Sequence, residues 1–205
     1  AQWRGAMQDE MAAMLALGVW TVVGARHKVP KGKNIVRSKG VFKIKYLDTG
    51  EIDKWKYRLV ACGYSQVYGA DYTETHAGVV SVVVFRLFLG LIAALHLKTR
   101  LFDIGNAFLE GSLEEEIYMQ LPSYLGGDVV LLQRAIYGLK QAGMIFVRML
   151  AEFLRPLGFS QSKTEPCSFT LITKVADAPQ EWNGYGYITV LTYVDDAPCG
   201  STVSY

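Results

Sequence analysis

Tyr193-Val194-Asp195-Asp196 is the stretch on which the fold of this chain turns. It follows Tyr187 to Thr192, a run rich in β-branched and aromatic residues that predicts a strand. Side chains on a strand alternate between faces, so adjacent carboxylates point apart unless a tight turn brings both to one site. Neighbouring acids repel unless a cation lies between them, and a hard divalent ion such as Mg²⁺, with oxygen ligands, suits that place. Asp is also a common turn residue, because its side chain bonds nearby backbone. Taken alone, the pair reads as a hairpin turn.

A third acid changes that. Leu101-Phe102-Asp103-Ile104 reads as a short strand ending in a carboxylate. If that strand neighbours the hairpin in one sheet, Asp103, Asp195 and Asp196 converge. Three carboxylates suffice to hold two divalent ions, the arrangement that clamps the attacking and leaving oxygens in phosphoryl transfer.

The 205 residues are 51% hydrophobic, enough for one domain or one domain with a lobe. The N-terminal stretch is amphipathic and mixed in charge, unlike a secretory signal. The most apolar run, Val79 to Leu97, carries Arg86 near its middle and His96 near its end, which predicts a buried helix and no membrane span. Cys62, Cys167 and Cys199 are scattered and odd in number, pointing to a reducing, intracellular compartment without a disulfide framework. No zinc-ligand spacing occurs.

The net charge of +2 conceals an asymmetry. Arg26 to Arg58 holds eleven Lys and Arg against three acids, a local +8, and leaves −6 for the remainder. A basic lobe on an acidic body suggests a polyanion partner. Within that lobe, Val41 to Leu47 and Ile52 to Cys62 predict two strands joined by Asp48-Thr49-Gly50. Lys54, Lys56 and Arg58 share one face of the second strand, Trp55, Tyr57 and Leu59 the other. Elsewhere the pattern predicts a helix over Gln2 to Leu17 and a strand at Trp20 to Val23. It predicts further strands entering Leu121-Pro122, at Val129 to Leu132 and at Ser168 to Thr173, with Glu114 to Glu116 a solvated edge. Gly143 to Leu157 reads as a helix with Phe146, Met149, Leu150, Phe153, Leu154 and Leu157 on its apolar stripe.

In this order the motifs resemble copia-type retrotransposon reverse transcriptases. The resemblance rests on Lys31-Gly32-Lys33, Val41-Phe42-Lys43-Ile44-Lys45, Arg58-Leu59-Val60-Ala61, Gly63-Tyr64, Gln66 and Gly69-Ala70-Asp71-Tyr72. It continues through Asp103, Ala107-Phe108-Leu109-Glu110-Gly111, Tyr137-Gly138-Leu139-Lys140-Gln141 and Tyr193-Val194-Asp195-Asp196. A single Tyr-x-Asp-Asp is weak; the ordered set over almost the whole chain is specific.

The resemblance implies an α+β, right-hand polymerase fold over residues 1–205. It places basic fingers with a hairpin roughly at 18–80 and a palm, a mixed or antiparallel sheet packed on helices, mainly at 81–205. Asp103, Asp195 and Asp196 would be catalytic and, with the Ile104 carbonyl, would ligate two Mg²⁺, for which Mn²⁺ can substitute. Phe108 would be the aromatic gate that excludes a ribose 2′-hydroxyl. Lys140, Gln141, Lys56 and Arg58 would bind nucleotide or template. The implied activity is RNA-directed DNA polymerisation on a primed RNA or DNA template with dNTPs. The implied setting is a retrotransposon polyprotein with integrase and protease, in cytoplasmic virus-like particles and the nucleus, without a membrane. The chain departs from the family pattern at Gly40, where Trp is usual, and at Ala197-Pro198, where an apolar strand is usual. Set against the family pattern, the thumb and ribonuclease H region are expected to be missing. Those departures suggest the alternative, a truncated relic acting only as a nucleic-acid-binding module. Pro198 is expected to weaken the second hairpin strand or make it an edge.

Overall fold

The structure is a computed structural model that describes residues 2–75, 79–105, 107–174, 183–193 and 196–202. It divides into two compact units, Ala1–Thr75 with Phe108–Ile145, and His76–Ala107 with Phe146–Tyr205. The segment 108–145 thus groups with the N-terminal residues, whereas the resemblance places the fingers roughly at 18–80 and the palm mainly at 81–205.

The first unit is one helix on a mixed five-stranded sheet. Helix α1 (Gln2–Ala16) ends at Gly18, whose φ of 61° only glycine adopts freely. The strands are β1 (Trp20–Gly24), β2 (Ile35–Tyr46), β3 (Ile52–Ala61), β5 (Ser112–Gln120) and β6 (Val129–Arg134); β4 belongs to the second unit. Their order is β1-β6-β5-β2-β3, antiparallel throughout except for the parallel β2–β5 pair. Val36, Leu59, Ile117, Met119 and Leu132 are sealed in the core, and α1 adds Met14. Glu114 to Glu116 is solvated and locally edge-like, as expected: β5 lies between β6 and β2, but neither neighbour pairs with these three residues. The three glutamates fall where the β5–β6 register shifts, between Ser112 and Ile117.

Gly40 has a local cause. A Cβ there would run into the Tyr124 hydroxyl and the Tyr57 ring, whose hydroxyls lie 3.3 Å apart. The two tyrosines fill space that a larger residue 40 would need.

The second unit carries β4 (Lys98–Asp103), β7 (Ser160–Gln161), β8 (Ser168–Lys174), β9 (Tyr185–Leu191) and β10 (Asp196–Ser201) in the order β4-β10-β9-β8-β7, all antiparallel. Helix α2 (Val82–Ala94) is capped by the Ser81 hydroxyl, which accepts from the Val84 N–H. The expectation that this helix is buried is corrected. Phe88 is its one fully buried described residue, seated against Gly200 of β10, while Val83 is 77% exposed. Apart from Arg86 the helix is apolar on all sides, and a single sheet face takes up only one stripe of it. Helix α3 (Ala142–Leu154) begins in the first unit, where Ala142 joins the core, and continues into the second, where it buries Phe146, Val147, Ala151 and Leu154; Phe153 and Leu157, expected on the same stripe, are exposed.

Pro198 makes a specific local defect, not an edge. Strand β10 lies between β4 and β9 and pairs with β4 along all six residues. Tyr193 and Asp196 exchange both backbone hydrogen bonds, at 2.8 and 3.1 Å. By alternation, residues 196, 198 and 200 turn their backbone polar groups toward β9. Proline has no N–H to offer there. The β9 ladder accordingly covers only residues 199–201 and resumes at the Tyr193–Asp196 bridge.

Pro198→Val restores one donor, worth about 1 kcal/mol, and frees the unfolded chain by a similar amount. Global stability is therefore expected to shift by less than about 1 kcal/mol, while hydrogen exchange at the Asp196 amide slows. An unchanged exchange rate would mean that the proline does not loosen this end of the hairpin.

Candidate active site and nucleic-acid interface

The acids lie in the second unit. Asp103 ends β4 and Asp196 begins β10, and the two are direct cross-strand partners. Because Asp196 spends its backbone hydrogen bonds on Tyr193, its pairing with Asp103 is of the non-hydrogen-bonded kind, in which side chains approach most closely. Both carboxylates are exposed and project from the same face. Like charges placed this way oppose folding unless a cation relieves them. Two close, acceptor-only carboxylates are a donor set that fits a hard divalent ion. Asp195 lies outside the described residues. Ile104, partly exposed, directly follows Asp103. Among the described residues no group of three or more acids, His or Cys forms a metal cluster.

Beside the pair is a cavity of about 460 Å³ lined by Val80, Phe85, Leu101, Tyr193, Asp196 and Pro198 among others. Its walls are apolar apart from Asp196 and the tyrosine hydroxyl.

The expected nucleotide-binding residues lie in the first unit. The β2–β3 register sets Lys43 opposite Lys56, Lys45 opposite Lys54 and Val41 opposite Arg58. Direct partners share a face, so five cations crowd one side of the hairpin. The other face carries Phe42 and Trp55, which Trp3 of α1 meets edge-on at 5.1 and 4.5 Å. The crowding has an electrostatic signature. Burial, then Arg58, Lys45 and Lys54, push the Lys56 ammonium below its ordinary value, with Glu10 pulling the other way. Cross-strand like charges are a cost that an anionic partner removes.

Tyr137 ties two of these residues together. The Arg58 guanidinium lies 4.7 Å above its ring, and Phe108 meets it edge-on at 5.2 Å. Phe108 is half-buried against the core, so packing and gating roles are compatible. The Tyr137 carbonyl accepts from the Ala61 N–H at 2.8 Å, fastening the 137–141 loop to the end of β3.

Lys140 and Gln141 part company. Gln141 is 1% exposed and turned inward: its Nε2 donates to the Asp71 carbonyl at 2.7 Å, and its Oε1 accepts from Gln66 Nε2 at 2.9 Å. As placed, its amide positions the loop. Lys140 is exposed, its N–H held by Gln66 Oε1 at 2.8 Å.

Lys43 and Lys45 were legible by counting out from the turn, since they mirror Lys56 and Lys54. Tyr137, Gln66 and Asp71 stand in motifs, but nothing in a linear sequence shows that their side chains meet.

Comparison with known proteins agrees with the motifs. Residues 18–200 match the family model described as reverse transcriptase (RNA-dependent DNA polymerase). The chain is 34% identical over 200 residues to the retrovirus-related Pol polyprotein from transposon RE1 of Arabidopsis thaliana, covering 95% of this chain and 13% of that protein. The corresponding polyprotein from transposon RE2 of the same plant gives the same identity and coverage. That from transposon TNT 1-94 of Nicotiana tabacum is 33% identical over 196 residues, 93% of this chain and 14% of that protein. The chain therefore spans about an eighth to a seventh of these relatives. The expected copia-type kinship is borne out. No helix among the described residues is long and apolar enough to cross a membrane.

Proposed function

The chain belongs to the reverse transcriptase (RNA-dependent DNA polymerase) family, and on that premise we propose that it carries the polymerising centre of a retrotransposon polyprotein, joining dNTPs to a primer 3′-hydroxyl on an RNA or DNA template. The observation that carries this reading is the close pairing of Asp103 with Asp196 at the strand ends, next to the Tyr193–Asp196 bridge. In this reading the second unit is the palm and the basic hairpin of the first is the fingers. Asp103, Asp195, Asp196 and the Ile104 carbonyl would hold two Mg²⁺. The metal supplies neutralisation of the charge that develops during phosphoryl transfer. The protein's own part would be positioning: Asp103 and Asp196 fixed by a six-residue ladder and Arg58 braced on Tyr137, with Phe108, supported by its edge-on contact to Tyr137, as the ring that would exclude a 2′-hydroxyl.

Calorimetric titration with Mg²⁺ or Mn²⁺ tests the acids. Wild type should bind weakly, and Asp103→Ala and Asp196→Ala should each lose binding. Equal binding by wild type and Asp103→Ala would remove the pair from the metal site.

The cationic face supports a phosphate contact of its own. Log affinity for duplex DNA is expected to fall steeply with log salt. Replacing Lys43, Lys45, Lys54, Lys56 and Arg58 by Ala should flatten that slope by roughly 4.5 if all five meet phosphates, at about 0.9 per contact. An unchanged slope would move the nucleic acid to another surface.

A further inference from the structure

The irregular segment after β3 is locked with unusual care for a surface loop. Asp71 is 2% exposed, and its Oδ2 accepts from Asn34 Nδ2 at 2.6 Å and the Val67 N–H at 2.7 Å. Its carbonyl takes Gln141, Gln141 takes Gln66, and Gln66 takes the Lys140 N–H. A buried carboxylate and two buried amides are costly to bury and tolerated only when bonded. Here they fix the 66–72 loop to the 140–141 loop within one unit.

That buried lock presents an exposed product. Tyr68 is 71% exposed, and its ring meets Tyr72 edge-on at 5.7 Å. The Lys140 ammonium lies 4.3 Å over the Tyr72 ring and donates to the Tyr72 hydroxyl at 2.7 Å. A single edge-on neighbour supports the Tyr68 ring and leaves at least one of its faces open. The Lys140 ammonium retains further protons to donate to an anion.

We propose that Tyr68, Tyr72 and Lys140 form a stacking platform for single-stranded nucleic acid, with an unpaired base on the Tyr68 ring and an adjacent phosphate on Lys140. An open aromatic face beside a restrained cation is the pairing that unpaired strands require: bases stack regardless of sequence, and the cation takes the backbone. Pre-locking the loop lowers the ordering cost of binding. The proposal rests on the nucleic-acid reading above and adds a strand contact outside the basic hairpin.

The test is fluorescence anisotropy with the full chain, a labelled oligo(dT) and an abasic strand of the same length. Tyr68→Ala should weaken oligo(dT) binding by roughly five- to a hundred-fold, the value of one base–aromatic stack, and leave the abasic strand unaffected. Tyr68→Phe, which keeps the ring, should restore affinity. Lys140→Ala should weaken both strands alike and reduce the salt slope by about 0.7. If Tyr68→Ala leaves oligo(dT) affinity unchanged, or lowers both strands equally, the platform is wrong while the nucleic-acid reading stands. If wild type binds neither strand, both fall together.

Discussion

Asp103→Asn is expected to lower primer extension by about a thousand-fold while leaving the fold no less stable. The first half follows from the ligand set. Removing one carboxylate from a divalent-ion site forfeits several kcal/mol of charge stabilisation in phosphoryl transfer, and about 4 kcal/mol corresponds to a thousand-fold in rate. The second half follows from the register. Asp103 faces Asp196 as a non-hydrogen-bonded cross-strand partner. Neutralising one member removes a like-charge repulsion from the metal-free protein. A catalytic substitution that leaves the melting temperature equal or higher marks a site whose charge serves binding. If Asp103→Asn lost stability along with activity, the carboxylate would have a structural role that the register does not reveal. Gel-resolved extension and thermal melting on the same preparation read both halves.

Gly138→Val is expected to give the largest loss of stability. Gly138 has φ of 89°, a region that β-branched residues reach only with strain. A Cβ at this position would also run into the Ala61 carbonyl and the Val60 side chain. Gly63 meets the Gly138 carbonyl on the same terms, so the two glycines let the 137–141 loop lie directly on the chain at the end of β3. The left-handed backbone costs about 1–2 kcal/mol and the overpacking a further 1–3. A total of about 2–5 kcal/mol follows from those two costs together. Denaturant melts measure it. Loss of the loop should also release Tyr137 from Arg58 and Phe108, so the residual folded protein should bind nucleotide poorly. A loss below about 1 kcal/mol, the level of an ordinary surface substitution, would mean that the loop can lift away from β3 freely.

These expectations draw unequally on sequence and structure. The acids were legible early: a strand ending in Asp and a hairpin bearing Asp-Asp suffice to suggest convergence. The structure supplies the register that sets Asp103 against Asp196. The basic face was half legible. Alternation put Lys54, Lys56 and Arg58 together, and the pairing added Lys43 and Lys45 from the facing strand.

Burial was the harder property. The apolar run of α2 reads as an interior helix, yet most of its surface is exposed, because periodicity says nothing about how much sheet is available to cover it. Pro198 reads as weakening the second hairpin strand or making it an edge; β10 is interior, and the weakening falls on its β9 ladder. A proline breaks only the ladder its missing N–H would face, and which side that is depends on the turn. Gln141 shows what a motif leaves out: its place in the 137–141 loop is legible, but its bonds to Gln66 and Asp71 are not. Contacts between residues some seventy positions apart leave no mark in a single sequence.

The grouping of 108–145 with the N-terminal residues has the same origin. Strand β5 is joined to β2 by a parallel pair at residues 35–37 and 118–120, and two such short matches across eighty residues are invisible to periodicity.

The most direct test of the central claim is extension of a labelled DNA primer on an RNA template by the chain itself, with dNTPs and Mg²⁺ or Mn²⁺. Template-directed products that disappear with a chelator and with Asp103→Asn are expected. Folded protein that binds the primed template and adds no nucleotide with either metal would contradict it, leaving a nucleic-acid-binding relic of the family.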